Sequence, residues 1–157
     1  MADCLASELL AFMGTVIADI KTTGGYSQTI PTANISYDAV ELIQENFPAA
    51  EILLTDMSFE DISNVSQEVS ATFRILGYIE QLTEDDATLA TKKILMEYAA
   101  DFRIAVLTAY TKQQAGTFTM EQFEIITPLS QSFAADKNIG MVLTEFGCKF
   151  LATRTER

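Results

Sequence analysis

Two clusters of carboxylates are the residues whose type and spacing could do chemistry. Residues 84–86 read Glu-Asp-Asp, and Asp56, Glu60 and Asp61 form a looser group upstream. Carboxylate oxygens are the ligands that Mg²⁺ and Ca²⁺ prefer. Neither cluster has the Asp spacing of a calcium-binding loop, and each has a plainer interpretation. We interpret the first as a capped, solvated helix start and the second as an acidic loop, and we predict no metal site.

Nucleophilic catalysis lacks its usual residues. The sequence has no histidine, so neither a Ser-His-Asp nor a Cys-His system can be built within the chain. Cys4 and Cys148 lie far apart in apolar patterns, which predicts two small buried side chains in a reducing compartment. The seven glycines form no phosphate-binding motif. We therefore predict no catalytic residue and no cofactor, and we interpret the chain as a non-enzyme.

Length and charge narrow the class of protein further. The chain has 157 residues and a mass of 17.3 kDa, which predicts a single domain over residues 1–157. Ten Lys and Arg against 22 Asp and Glu give a net charge of −12. Binding to free nucleic acid is disfavoured, because phosphate contacts need basic side chains. The pattern predicts neither a secretory signal nor a membrane-spanning helix.

Two stretches have the apolar spacing of amphipathic helices. The first covers residues 5–20, with Asp3 as a candidate N-cap and Gly24-Gly25 after its end. The second covers residues 86–112, and Thr83 and Asp86 have capping-box spacing at its start. Its predicted buried face consists of Leu95, Tyr98 or Ala99, Phe102, Ala105 or Val106, and Ala109. A third, short helix is predicted over residues 38–46.

Two stretches alternate with the period of a β-strand. Residues 68–80 form the first, and a strand of that length would extend roughly 43 Å, so it must bend at Gly77 or project as part of an arm. Ile139–Thr153 is the second, with Val142, Thr144, Phe146, Cys148 and Phe150 on one face. Shorter strands are predicted over residues 26–36, 49–54 and 122–127, and a polar loop around Pro128. This order of elements predicts an α+β fold with a mainly antiparallel sheet.

The basic residues are unevenly placed along the chain. Three of the ten, Lys149, Arg154 and Arg157, lie in the last nine positions, whereas the middle of the chain is acidic. A protein that is basic at one end and acidic elsewhere can associate head to tail, and such contacts close into rings when the rotation allows it. A soluble basic tail is an equally good interpretation of charge alone.

This layout resembles the tail terminator (minor tail) proteins of tailed bacteriophages over most of the chain. The first helix leads into Gly24-Gly25-Tyr26 and a polar strand. The step Phe47-Pro48-Ala49 then leads into an apolar strand. A long strand ends in Ile75-Leu-Gly-Tyr-Ile79, before an acidic turn and a long helix, and the closing strand covers residues 141–154. The resemblance is one of order and short strings rather than of a fixed motif.

The resemblance implies an α+β subunit that acts in virion assembly. Six copies would form a ring on the end of the tail tube, stop its polymerisation and join it to the neck or connector protein. The partners implied are further copies of the chain, the tube protein and the neck protein. The location implied is the tail–neck junction of a virion assembled in the bacterial cytoplasm. The family has no catalytic residues to transfer.

If the chain forms such a ring, some residues acquire predicted roles. Phe146 and Phe150 would be buried against a neighbouring subunit, and Lys149 and Arg154 would meet acidic partners there. A negatively charged channel would let DNA slide through without specific binding, because it repels phosphates.

The predicted channel-facing acids are Glu84, Asp85 and Asp86, or alternatively those of residues 56–61. Two alternatives stay open: a neck or head-completion adaptor ring, and a small monomeric acidic inhibitor or carboxylate enzyme.

Overall fold

The computed structural model describes residues 4–37, 47–80, 87–109, 121–125, 129–135 and 139–153. These residues contain two α-helices and six β-strands, together with two short 3₁₀ turns at Thr22–Gly24 and Thr32–Asn34. In chain order the elements are α1 (Leu5–Ala18), β1 (Ile35–Ser36), β2 (Ala49–Asp61), β3 (Ser66–Glu80), α2 (Ala87–Leu107), β4 (Glu121–Ile125), β5 (Ser130–Ala135) and β6 (Ile139–Thr153).

All six strands belong to one sheet with the order β1-β2-β3-β6-β4. β5 also pairs with β6, beside a different stretch from the one that β4 occupies. The β1–β2 pair is parallel and every other pair is antiparallel. The fold is therefore α+β with a mainly antiparallel sheet, as the sequence predicts.

The two long central strands, β3 and β6, pair along their whole length, from Ser66 opposite Thr153 to Glu80 opposite Ile139. Their alternation puts apolar residues on the face that the helices cover. Phe73 of β3 and Phe146 of β6 stack there with ring centroids 5.5 Å apart. All the residues predicted to share a face of β6 are buried: Val142, Thr144, Phe146, Cys148 and Phe150.

Both helices pack on this one face of the sheet. α1 contacts β1 and β2, whereas α2 contacts β3 and β6. The predicted apolar stripes of both helices are buried. Tyr98 of α2 also donates a hydrogen bond of 2.9 Å from its hydroxyl to the carbonyl of Ala49, so its polar atom has a partner inside the core.

Gly77 has a packing role. A Cβ atom at this position would collide with the ring of Phe102 and would lie 2.9 Å from Cε1 of Tyr98. The missing side chain therefore lets two aromatic residues of α2 rest directly on β3.

Several boundaries differ from the prediction. Only Ile35–Ser36 of the predicted strand 26–36 pairs with a neighbour, and Pro31, which lacks an amide hydrogen, precedes the second 3₁₀ turn. β2 continues through the acidic residues that were predicted to form a loop. Part of the predicted polar loop after Pro128 forms β5.

Cys4 is exposed rather than buried, because it lies at the N-cap of α1, outside the helix core. Asp3, Thr83, Asp86 and the predicted helix at 38–46 lie outside the described residues.

Candidate functional site

The two phenylalanines predicted at a subunit interface lie in the core of the subunit instead. Phe146 and Phe150 are each only 2% exposed. They point to the helix-covered face because even-numbered residues of β6 share that face. Burying either ring against a neighbouring copy would require opening the fold, so a subunit interface in this fold must use other side chains.

Lys149 forms ion pairs within its own chain. Its Nζ lies 3.0 Å from Oε1 of Glu124 on β4 and 3.7 Å from Oε2 of Glu68 on β3. The hydrogen bond and charge of Glu124, with a smaller contribution from Glu68, raise the pKa of the Lys149 ammonium. Its acidic partners are therefore intramolecular in the subunit. The predicted interface residue Arg154, and the predicted channel acids Glu84, Asp85 and Asp86, lie outside the described residues.

The acidic segment 56–61 forms the outer half of an edge strand. A β-bulge between Leu54 and Asp56 separates it from the part of β2 that lies under α1. The bulge shifts the alternation by one residue, so that Asp56 and Glu60 no longer share a face with Ile52. Met57 and Phe59 take the helix side of the sheet instead.

Exposed apolar side chains stand at the end of this hairpin. Phe59 is 54% exposed, Ile62 57% and Val65 70%. The turn between β2 and β3 is held by Ser63, whose hydroxyl accepts hydrogen bonds from the amides of Val65 (3.2 Å) and Ser66 (3.1 Å). We call residues 56–65, the outer half of β2 and this turn, the arm.

The arm also has an open backbone edge. β1 pairs with β2 only at Ala50 and Glu51. In the described ranges, no strand pairs with the outer side of β2 from Ile52 to Asp61. An edge strand of this length with exposed apolar side chains is a surface to which another chain can bind.

Sequence reasoning missed the three apolar residues of the arm. Phe59, Ile62 and Val65 are interspersed with acids, and their spacing follows neither a helix nor an unbroken strand. The only signal in the sequence was the combination of apolar and acidic residues in a segment predicted to be a loop, where apolar residues have no structural reason to occur.

Two acids among the described residues are buried, Glu51 and Asp101, and each has a hydrogen-bond partner within the chain. Glu51 is buried on the sheet face that the helices leave uncovered, and Tyr78 Oη lies 3.5 Å from its Oε2. Burial raises the pKa of the Glu51 carboxyl. Asp101 accepts hydrogen bonds from the segment before β1, and burial raises the pKa of the neighbouring Tyr98 hydroxyl well above its ordinary value.

The two cysteines have opposite environments, because Cys148 is buried and Cys4 is exposed. Burial raises the pKa of the Cys148 thiol to about 12. The thiol of the exposed Cys4 lies 3.2 Å from the hydroxyl of Ser7, and hydrogen bonding with Ser7 lowers the pKa of this thiol. Among residues that the structure describes, no group of His, Cys, Asp and Glu side chains could hold a metal ion. The surface that stands out is therefore the arm.

Comparison with known proteins adds no relative. The chain matches no model of a protein family, and a search of curated proteins finds no match. Within the described part of the chain, no helix is long and apolar enough to cross a membrane.

Proposed function

We propose that this protein is a structural virion protein that assembles into a ring, of six copies by its resemblance to the tail terminators, and caps a phage tail tube. In this role it stops tube polymerisation and provides the surface that the neck or connector protein binds. The resemblance of the sequence to the tail terminators supports this proposal. The α+β fold, with its helices on one face of a mainly antiparallel sheet, agrees with that resemblance.

The observation that carries the proposal is the arm. Phe59, Ile62 and Val65 are exposed together at the end of a long hairpin whose turn is held by hydrogen bonds. Leaving apolar side chains in water is unfavourable, and contiguous exposed apolar residues mark surfaces that bind other proteins. A protein that works by assembly needs such a surface.

The net charge of −12 supports a role around DNA that does not involve binding it. A ring of acidic subunits repels phosphates from its inner surface, so that DNA could pass without adhering. A ring lined with lysine and arginine would bind the DNA instead.

Native mass by light scattering, measured over a range of protein concentrations with negative-stain images of the same samples, tests the ring. We expect a species of about six times 17.3 kDa with an annular outline. Adding the protein to growing tubes of the cognate tube protein tests the cap. Tubes should stop at a shorter length as the ratio of cap to tube protein increases.

The same experiment separates the alternatives. A ring that binds the neck protein but leaves tube growth unchanged would identify a neck adaptor. A monomer at every concentration that also leaves tube growth unchanged would contradict the proposal and favour the monomeric classes.

A further inference from the structure

A second surface of the chain, on α2, combines exposed apolar side chains with basic ones. The outward-facing side of α2 includes Met96, Ile104 and Leu107, which are between 45% and 62% exposed. An amphipathic helix of a globular protein normally presents polar residues to solvent. These three follow each other at the spacing of one helix face, so α2 is apolar on its outer side as well as on its buried side.

Basic residues flank this apolar stripe. Lys92, Lys93 and Arg103 are exposed on the same side of α2, and Glu97 is the acidic residue among them. Within the described residues, no ion pair joins any of these three cations to a carboxylate. We call Lys92, Lys93, Met96, Arg103, Ile104 and Leu107 the α2 outer face. It is positively charged on a chain whose net charge is −12.

The arm is the complement of this face. It combines Phe59, Ile62 and Val65 with the acids Asp56, Glu60 and Asp61. The sequence has no lysine or arginine from residue 22 to residue 73. Opposite charges on two surfaces that both carry exposed apolar side chains favour a specific orientation and suppress contacts between like surfaces.

We propose that the arm of one copy docks on the α2 outer face of the next copy. The inference rests on the proposed function, because it names the contact that joins neighbours in the ring. The two surfaces are different patches of one chain, so the contact is head to tail and can close into a ring. Both patches are exposed within a single subunit, and their opposite charges make a second copy a fitting partner for each.

The C-terminal end of the α2 outer face offers an entry point for the arm. Leu107 also lines a cavity of about 460 Å³, together with Phe123 and Ile125 of β4. The lining also includes Glu68, Glu124 and Lys149, and the apolar side of the cavity would receive an apolar side chain from the arm tip. A buried aromatic or aliphatic anchor of this kind typically dominates the affinity of an interface.

Cross-linking between two differently substituted samples tests the contact directly. All variants carry Cys4→Ser, since Cys4 is exposed whereas Cys148 is buried. One sample carries Ile62→Cys and the other Ile104→Cys, and the mixture is oxidised. The control mixture replaces the second sample by Lys21→Cys, which puts the thiol at an exposed position outside the α2 outer face.

We expect the Ile62→Cys and Ile104→Cys mixture to form disulfide-linked dimers at least tenfold faster than the control mixture. Equal rates would overturn the proposal, and that result is also expected if the arm binds a basic surface on another protein. A chain carrying both substitutions should give a ladder of bands that ends at the closed ring. A ladder without a closed end would support the contact and contradict the proposed ring, so the two failures are distinguishable.

A charge exchange provides a second test. Glu60→Lys alone or Lys93→Glu alone should raise the protein concentration needed for half-assembly by about tenfold, and the combination should restore most of the loss. Lys21→Glu changes the net charge as much as Lys93→Glu and should have a smaller effect. Equal effects of Lys21→Glu and Lys93→Glu, with no recovery in the combination, would overturn the proposal.

Discussion

The buried carboxylate of Asp101 joins α2 to the segment between α1 and β1. It accepts hydrogen bonds from the amide of Ser27 (2.9 Å), the hydroxyl of Ser27 (2.6 Å) and the amide of Gln28 (3.0 Å). This segment has little regular structure, so one side chain provides the partners that a strand would otherwise supply.

Replacing Asp101 by Ala should therefore be costly. The change leaves the donors of Ser27 and Gln28 without their acceptor, and we expect the free energy of unfolding to fall by about 3 kcal/mol. Urea denaturation measures this loss. Glu97→Ala, on the exposed side of the same helix, is the matched control and should change stability by less than about 0.5 kcal/mol. Equal losses would show that the hydrogen bonds of Asp101 contribute little.

Glu51 makes stability depend on pH. Burial raises the pKa of its carboxyl above the ordinary value of 4.5, so the folded state holds this proton more tightly than the unfolded state. The contribution is complete below pH 4.5 and is lost as the pH rises through the folded pKa. Glu51→Gln should remove this part of the pH profile and raise the free energy of unfolding at pH 7.

Thermal unfolding between pH 4 and pH 8 measures the effect, and Tyr78→Phe is its control. The Tyr78 hydroxyl lowers the pKa of Glu51, whereas burial, the larger cause, raises it. Removing the hydroxyl should therefore extend the pH-dependent loss to higher pH. A profile that Glu51→Gln leaves unchanged would show that this carboxyl does not titrate differently in the two states.

At the scale of the element, the contact between α2 and β3 depends on Gly77. Gly77→Ala should lower the free energy of unfolding by about 2 kcal/mol, because the new methyl group forces the ring of Phe102 away from the strand. Gly24→Ala is the control, since its nearest side-chain atom would be 3.7 Å from the new Cβ. Phe102→Leu combined with Gly77→Ala should cost less than the sum of the two single changes; strict additivity would contradict the contact.

The strands that sequence predicts well are those buried on one face along their whole length. β3 and β6 alternate without interruption from Val69 to Ile79 and from Val142 to Phe150, and the structure has both as predicted. β2 was predicted only as far as Leu54, because the bulge after it shifts the alternation. A bulge forms only when β2 pairs with β3, and the local sequence does not reveal how the two strands pair.

The candidate site and β5 also depend on contacts between distant parts of the chain, which the local sequence does not reveal. The sequence of Ser130–Ala135 is mostly small and polar, and it forms a strand because β6 offers an unpaired edge there. Phe146 was predicted at an interface because alternation identifies a buried face without saying whether the same chain or a second copy covers it. The exposure of the apolar residues of the arm depends on which part of the sheet the helices cover, and the local sequence does not determine this.

At the scale of the whole molecule, the proposed assembly must overcome repulsion between copies that each carry a net charge of −12. This repulsion acts over the distance between whole subunits, and the Debye length shortens from about 30 Å at 0.01 M salt to about 10 Å at 0.1 M. The attraction between the acids of the arm and the cations of the α2 outer face acts across a few ångströms. It is screened strongly only near 1 M, where the Debye length is about 3 Å.

Because the repulsion acts over a longer distance than the attraction, we expect assembly to be greatest at an intermediate ionic strength. The fraction of assembled protein should be lowest near 0.01 M salt, rise to a maximum between about 0.1 and 0.3 M, and fall again near 1 M. Light scattering at one protein concentration across this series measures it. Lys93→Glu removes attraction and adds repulsion, so its assembly should rise steadily with salt and lack the later fall. An identical optimum in this variant would place the attractive charges elsewhere on the chain, whereas its loss would locate them on the α2 outer face.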